Sequence, residues 1–256
     1  MNRIGEINYN SYGTPMKIIE YKNSTNIIVE FQDEYKYKRK CEYGQFKKGQ
    51  LQNPYDKTVY GVGYLGEGKY KSRGEDGKQT KVYQTWKSML QRCYDPYRIN
   101  KYPTYINCYV CDEWHSFQNF AKWFYKNYYE VESQRMHLDK DILIKGNKIY
   151  SPKTCVFVPE RINYLFTKSD KARDNTPIGV HWHKRDGVYE CHCSVLNKEN
   201  KKELKYLGRY KNIIVAFDSY KTFKEVYIKQ VADEYKDLIP KKLYDAMYKY
   251  KVEIND

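Results

Sequence analysis

The sequence lacks any long hydrophobic run, and none of its 256 residues lies in a stretch that approaches the roughly 20 apolar residues of a membrane-spanning helix. The first residues, from Met1 to Glu6, also lack the apolar core of a secretory signal. We therefore expect a cytoplasmic protein that has no membrane partner.

Acidic residues are too few to balance the basic ones. The chain has 32 Asp and Glu against 46 Lys and Arg, which gives a formal net charge of +14. Such an excess suits a polyanionic partner, because each cation placed near a phosphate releases counterions. A basic surface that is merely solvated is the alternative that composition leaves open.

Disulfide pairing is also not expected, because the seven cysteines are an odd number in a chain without a secretory signal.

The remaining pattern predicts an α+β protein of three segments, at residues 1–65, 66–170 and 175–256. In the first segment, 16–21 and 26–31 form a strand-like pair around a polar turn. It is predicted to be a small β-rich module, either a DNA-binding accessory or a protein-contact module.

The second segment begins with two apolar stripes at helical spacing, which predict helices whose apolar faces form a core. The stripes are Val82, Trp86, Met89, Leu90 and Cys93, and then Phe117, Phe120, Phe124 and Tyr128, with Ser116 as N-cap. A strand at 136–144, a turn at 145–148, a strand at 154–158 and a helix from Pro159 are expected to follow.

A polar link at 167–176 leads to the third segment. Three strands are predicted there, at 178–185, 188–196 and 203–210, with turns at 186–187 and 197–200. A helix from 213 to 237 follows. Its predicted apolar side consists of Val215, Phe217, Tyr220, Phe223 and Val226 or Tyr227. This order predicts a three-stranded antiparallel sheet backed by one helix.

Several residues of the third segment resemble the Apetala2-type DNA-binding domain of plants and its phage relatives. They are Gly179-Val180, Tyr189-x-Cys191, Leu207-Gly208-x-Tyr210, Ala216 and Tyr220. The resemblance implies a sheet whose face enters the major groove of duplex DNA. The DNA contacts that it implies are His181, His183, Lys184, Arg185, His192, Ser194, Lys205, Tyr206 and Arg209.

This chain departs from that family at His181 and His183, where the family usually has Arg. A neutral histidine makes a weaker contact to guanine than a bidentate arginine. The basic residues of the segment are expected to hold phosphates instead. A sheet with no ligand is the alternative. A zinc site of these histidines with Cys191 and Cys193 is disfavoured, since alternation places both cysteines on the face of Tyr189.

Four motifs of the second segment resemble the HNH-type nuclease core, a ββα fold with a divalent metal found in phage and intron-borne endonucleases. They are Leu138-Asp139-Lys140-Asp141, Gly146-Asn147, Tyr150-Ser151-Pro152-x-x-Cys155 and Ile162-Asn163. Upstream, Trp86-x-x-Met89-x-x-Arg92-Cys93 and Val110-Cys111-x-Glu113-Trp114 are similar to the preceding part of such phage proteins.

The resemblance implies that Asp139, Asp141 and Asn163 hold Mg²⁺ or another divalent cation, which stabilises charge that develops on the scissile phosphate. It places Asn147 in the loop that orients the catalytic base. Some nucleases of this fold are stabilised by a structural zinc ion, so the resemblance suggests a second metal site. The cysteines that could form such a four-thiolate site are Cys93, Cys108, Cys111 and Cys155, with ordinary buried cysteines as the alternative.

The catalytic base of the family is a histidine, and this chain has Lys140 there. A protonated lysine cannot accept a proton unless burial lowers its pKa by several units. His137, on the opposite face of the strand, is the alternative base. Three interpretations stay open for this module: a nuclease with an altered base, a module that has lost cleavage and only docks on DNA, and a solvated turn.

Taken together, these residues predict a protein that binds double-stranded DNA. The two resemblances imply a homing-type endonuclease of phages or mobile elements, which would act in the cytoplasm of a bacterial host. The alternatives are a catalytically inactive DNA-binding protein or transcriptional regulator, and a structural or protein-interaction module. The oligomeric state is left open.

Overall fold

The computed structural model describes residues 3–167, 176–196, 201–254 and 256. The chain is an α+β protein, as predicted. It forms two compact units, one of Met1–Lys126 with Ile149–Ser151 and the other of Asn127–Lys148 with Pro152–Asp256. This division does not follow the three sequence segments, since the second segment is shared between both units.

The first unit begins with a four-stranded antiparallel sheet in the order β1-β2-β3-β4. Its strands are β1 (Ile7–Tyr9), β2 (Pro15–Asn23), β3 (Asn26–Phe31) and β4 (Lys38–Cys41). The predicted hairpin is confirmed as β2 and β3. Every second residue of β3 is buried, and these side chains form a core with Phe46 of the short helix α1 (Tyr43–Lys47).

The rest of the first unit is mainly helical. Its elements are α2 (Lys81–Tyr94), α3 (Pro96–Lys101), α4 (Phe117–Asn127) and a parallel pair of short strands, β5 (Tyr109–Val110) and β7 (Ile149–Tyr150). Both predicted stripes are core as far as Phe124, because Trp86 and Phe120 are fully buried. Tyr128, the last predicted member, follows the end of α4 and is half-buried. Ser116 Oγ accepts a long hydrogen bond of 3.4 Å from the amide of Asn119 near the start of α4.

The second unit contains the predicted succession of strand, loop, strand and helix. β6 (Met136–Asp139) pairs antiparallel with β8 (Val156–Pro159), and α5 (Glu160–Phe166) follows directly. β6 is shorter than predicted. The side chain of Asp139 accepts hydrogen bonds from the amides of Asp141 and Ile142, which turns the chain out of the strand.

The predicted sheet and helix of the third segment are confirmed. The strands β9 (Val180–His183), β10 (Val188–Leu196) and β11 (Lys202–Tyr210) are antiparallel in the order β11-β10-β9. Two helices follow, α6 (Ile213–Glu234) and α7 (Lys241–Lys249), and α7 was not predicted. The predicted turn at 197–200 and most of the predicted link at 167–176 lie outside the described residues.

The predicted apolar side of α6 is confirmed in part, since Phe217 and Tyr220 are buried and Phe223 and Tyr227 pack against the core under the sheet. Val215 and Val226, assigned to the apolar side, are 50% and 51% exposed. The buried face begins at Ala216 and returns every three or four residues, as a 3.6-residue period requires. It includes Lys224, whose polarity concealed the stripe from sequence reading.

α6 belongs to two cores. Its first half packs on the three-stranded sheet through Ala216, Phe217 and Tyr220. Its second half packs on the ββα elements, together with α7. The side chains of this second core include Val156, Val158, Ile162, Leu165, Ile228, Val231, Ala232, Leu243 and Met247. The two modules that sequence analysis separated therefore form one unit around a shared helix.

Candidate nucleic-acid interface and ββα loop

The three-stranded sheet has two chemically different faces. Cys191, Cys193 and Val195 alternate along β10 toward α6 and are buried. The residues between them point the opposite way. The register of the three strands places the following side chains on this outer face: His181 and His183 of β9, Glu190, His192 and Ser194 of β10, and Leu204, Tyr206 and Arg209 of β11.

The outer face is open to solvent. Leu204 is 64% exposed and Tyr206 is 58% exposed, although both carry large apolar groups. The ring of Tyr206 lies 5.4 Å from that of His192 on the neighbouring strand. Because α6 covers the other face, the exposed Tyr206 ring and the half-buried His192 imidazole beside it are available to a partner and contribute nothing to the core.

Most of the predicted contact residues are brought together. His181, His183, His192, Ser194, Tyr206 and Arg209 share the outer face, and Lys184 and Arg185 lie in the turn between β9 and β10. Lys205 does not join them. It pairs with Cys193 and therefore lies on the helix side of β11, 3.3 Å from Glu203. Adjacent residues of a strand point to opposite faces, so Lys205 and Tyr206 cannot serve one surface.

The carboxylates of Asp186 and Glu190 form ion pairs with the arginines of this face. Arg209 donates from one guanidinium nitrogen to Asp186 at 2.9 Å and from the other to Glu190 at 2.6 Å. Arg185 donates to the other oxygen of Asp186 at 2.8 Å. The Arg185 hydrogen bond holds the pKa of Asp186 below its usual range, with His183 and Arg209 adding to the effect. Hydrogen bonding to Glu190 raises the pKa of Arg209.

Sequence reasoning missed Glu190 and Asp186. The signal for Glu190 was present, since it stands between the core residues Tyr189 and Cys191 and alternation sends it outward. Asp186 was assigned only to a turn, and its pairing with Arg209 joins residues that are 23 apart in sequence. The consequence is that Arg209 is held in one orientation on the outer face.

The residues that carry the Apetala2-type resemblance hold the sheet to the helix. Gly179 has a φ of +79°, and a β-carbon there would overlap the ring of Tyr220. The hydroxyl of Tyr210 donates to the carbonyl of Leu207 at 3.0 Å and bonds Ser219 of α6 at 2.9 Å. These motif residues therefore fix the packing of the sheet, and the outer face is built from other positions.

The loop after β6 encloses Lys140, which is 7% exposed. Its ammonium donates to Asp141 Oδ2 at 2.9 Å and to the backbone carbonyl of Asn147 at 3.0 Å. Asn147 returns a hydrogen bond from its side chain to the carbonyl of Lys140 at 2.6 Å. Lys140 and Asn147 thus hold the two ends of the loop together.

The other predicted nuclease residues lie around this loop. His137 and Asp139 share one face of β6, and Leu138 points into the core. Burial, with the nearby Asp141 carboxylate, raises the pKa of Asp139 to about 6. Asn163 lies half-buried on α5, and its backbone carbonyl accepts a hydrogen bond from Thr167 at 3.1 Å.

The loop residues do not fit a divalent metal. Mg²⁺ requires near-octahedral coordination by oxygen. One oxygen of Asp139 is taken by two backbone amides, and one oxygen of Asp141 is taken by the Lys140 ammonium. A divalent ion between the carboxylates would stand beside that fixed positive charge. Across residues 3–167, 176–196, 201–254 and 256, no three His, Cys, Asp or Glu side chains are grouped as a metal site would need.

None of the four cysteines proposed for structural zinc is in a disulfide bond. Cys93, Cys108 and Cys155 are buried and Cys111 is half-buried. Burial raises the pKa of the Cys111 thiol in the metal-free protein, whereas a bound zinc ion would itself deprotonate a coordinating thiol. Cys155 belongs to the second unit and the other three to the first. Zinc stays a prediction, which metal analysis of the purified protein would decide.

Comparison with protein-family models, curated proteins and solved structures finds no match to this chain. No helix in the described part of the chain is both long enough and apolar enough to cross a membrane. The candidate interface therefore depends on geometry and motif residues alone.

Proposed function

We propose that this protein binds double-stranded DNA through the outer face of its three-stranded sheet. The observation that carries the proposal is the exposed array of Tyr206, His192 and Arg209 on the face opposite α6. A partner that recognises this array must accept aromatic, imidazole and guanidinium groups side by side. The edges of base pairs in the major groove meet that requirement.

The chemistry of the face suits base edges. An arginine can donate two hydrogen bonds to guanine, and a glutamate can accept one from cytosine. Arg209 and Glu190 lie in one cross-strand pair, so the two groups would meet neighbouring bases or one G·C pair. Preorganisation of Arg209 by two carboxylates lowers the conformational entropy that it loses on binding.

Phosphate contacts would come from outside the centre of the face. Lys184 and Arg185 lie at the turn between β9 and β10, and Lys184 is exposed. The net charge of +14 supplies a long-range attraction to a polyanion. We therefore expect affinity to fall steeply as salt rises, because bound phosphates release counterions.

The test is binding of the full chain to a random duplex, measured by fluorescence anisotropy over a salt series. We expect the double variant Tyr206→Ala/Arg209→Ala to lose at least about tenfold in affinity, since a good base contact contributes roughly 1–3 kcal/mol. Lys205→Ala is the matched control, since it removes a cation from the same strand on the other face. Equal losses in both variants, or no duplex binding at low salt, would refute the proposed interface.

DNA cleavage is not part of this proposal, although the HNH-type resemblance implies it. The ββα elements are present, but the loop residues do not fit the metal that such chemistry uses. The function proposed is that of a DNA-binding protein, such as a regulator. Incubation of supercoiled plasmid with protein and Mg²⁺ is expected to leave the plasmid intact.

A further inference from the structure

The ammonium of Lys140 is buried in the second unit. A lysine is seldom buried without a charged partner, because desolvation of the ion is costly. Here the charge lies 2.9 Å from Asp141 and acts on Asp139, whose pKa it lowers against the larger opposing effects of burial and Asp141. One cation therefore serves two carboxylates.

The second lysine of the loop is also neutralised from within the unit. Lys145 lies 2.9 Å from Asp256 and 3.0 Å from Glu253, and it donates to the backbone carbonyl of Lys251 at 2.9 Å. Its ammonium also lies 5.2 Å from the centre of the Tyr250 ring. Tyr250, Lys251, Glu253 and Asp256 thus surround the Lys145 ammonium, so the charges of Lys140 and Lys145 are both used inside the fold.

We propose that the Lys140 ammonium is a permanent internal cation that takes the place of a divalent metal beside Asp139 and Asp141, so that the ββα module folds and functions without a metal. The side chain reaches the carboxylate that a metal would bind, and its carbonyl holds Asn147 at the other end of the loop. It supplies the positive charge that the two acids need, at a fixed place and without dependence on ion concentration.

The same arrangement removes Lys140 as a catalytic base. A charged ammonium that donates to Asp141 and to the Asn147 carbonyl carries no lone pair for a proton of water. With Lys140 in the place of the metal, the module lacks the ion that would polarise a phosphate and has no base at position 140, which leaves His137 as the alternative base. This inference does not depend on DNA binding by the sheet.

The test compares thermal unfolding of the full chain in EDTA and in millimolar Mg²⁺. We expect the unfolding temperature of the wild type to differ by less than about 1 °C, whereas a site filled at a hundredfold excess over its Kd would raise it by roughly 5–10 °C. Lys140→Met keeps the length of the side chain and removes its charge. This variant is expected to unfold several degrees lower in EDTA and to recover part of the loss when Mg²⁺ is added.

Lys153→Met is the matched control, because Lys153 is an exposed lysine of the same unit. It should unfold at the wild-type temperature with or without metal. If Lys140→Met is as stable as the control in EDTA, the internal cation has no role and the proposal is wrong.

A second measurement uses only the wild-type protein, in case Lys140→Met does not fold. Mn²⁺ is titrated into the protein and the free ion is followed by electron paramagnetic resonance. An unchanged free-ion signal supports the proposal. Uptake of one Mn²⁺ that Asp139→Asn abolishes, or plasmid nicking that Asp139→Asn abolishes, overturns it. None of these measurements involves the sheet, so their failure is distinct from failure of duplex binding.

Discussion

At the scale of single residues, Gly179 shows how tightly the sheet rests on α6. Its φ of +79° disfavours any side chain, and the Tyr220 ring fills the space of a β-carbon. Gly187, in the turn after β9, also has a positive φ of +63° but has nothing within 4 Å of a β-carbon. A side chain at Gly187 would therefore meet backbone strain alone, whereas one at Gly179 would meet both strain and steric overlap.

We expect Gly179→Ala to lower the free energy of unfolding by about 2–4 kcal/mol, the sum of left-handed strain and overpacking. Gly187→Ala should cost only about 1 kcal/mol, because strain alone applies. Urea unfolding followed by circular dichroism measures both. Equal losses would mean that Tyr220 moves aside without cost.

Only some residues of the outer face could be predicted from the sequence. Alternation along β10 places His192 and Ser194 correctly from sequence alone. The acid pair around Arg209 could not be foreseen, because Asp186, Glu190 and Arg209 come from a turn and two strands. Their meeting depends on strand register, which turn type and loop length set and which the sequence analysis did not assign.

At the scale of elements, α6 and α7 are joined by a hydrogen-bonded acid. Asp233 of α6 accepts from the hydroxyl of Tyr248 at 2.6 Å and from that of Tyr244 at 2.9 Å. These bonds hold the pKa of Asp233 below its usual range, with the Tyr248 bond the larger cause. The ionised carboxylate is therefore the form that stabilises the helix pair.

A folded-state pKa that is lowered gives stability that is present above the unfolded pKa, about 3.9, and lost as pH falls through the folded value. Tyr248→Phe should accordingly unfold at a lower temperature than the wild type at neutral pH. The difference should shrink as pH falls from about 4 toward 2. Thermal unfolding over that pH range measures it, with Tyr12→Phe, an exposed tyrosine of the other unit, as control. A difference that is constant with pH would contradict the assignment.

Element prediction succeeded where the sequence pattern is long and failed where it is short. β10 has the predicted bounds, and β11 begins one residue earlier than predicted. α7 was missed although Leu243 and Met247, four residues apart and both buried, were a usable signal. β5 and β7 have two residues each, and their parallel pairing across the sequence leaves no local pattern to detect.

At the scale of the whole molecule, the second unit should unfold as one body. Phe217 belongs to the core under the sheet and Leu165 to the core of the ββα elements, and α6 is part of both cores. Met89, by contrast, is buried in the first unit. Truncation of these three side chains therefore tests how the chain divides.

We expect Phe217→Ala and Leu165→Ala to lower the midpoint temperature of the same calorimetric transition. Each should reduce the free energy of unfolding by roughly 2–5 kcal/mol. Met89→Ala also truncates a large side chain, but it should leave the midpoint of that transition unchanged and lower the midpoint of the transition of the first unit. Scanning calorimetry of the full chain distinguishes the transitions. If Leu165→Ala leaves the transition lowered by Phe217→Ala unshifted, the ββα elements and the sheet are separate folding units.

The shared helix has a practical consequence for anyone who wishes to excise the sheet. A fragment cut at residue 175 would keep Ile228, Val231 and Leu243 but lose the partners they cover in β8 and α5. Such a fragment would expose an apolar stripe that favours aggregation, so it is poorly suited for use as an isolated domain. A portable version of the sheet must carry the ββα elements with it, or receive polar replacements along the last turns of α6.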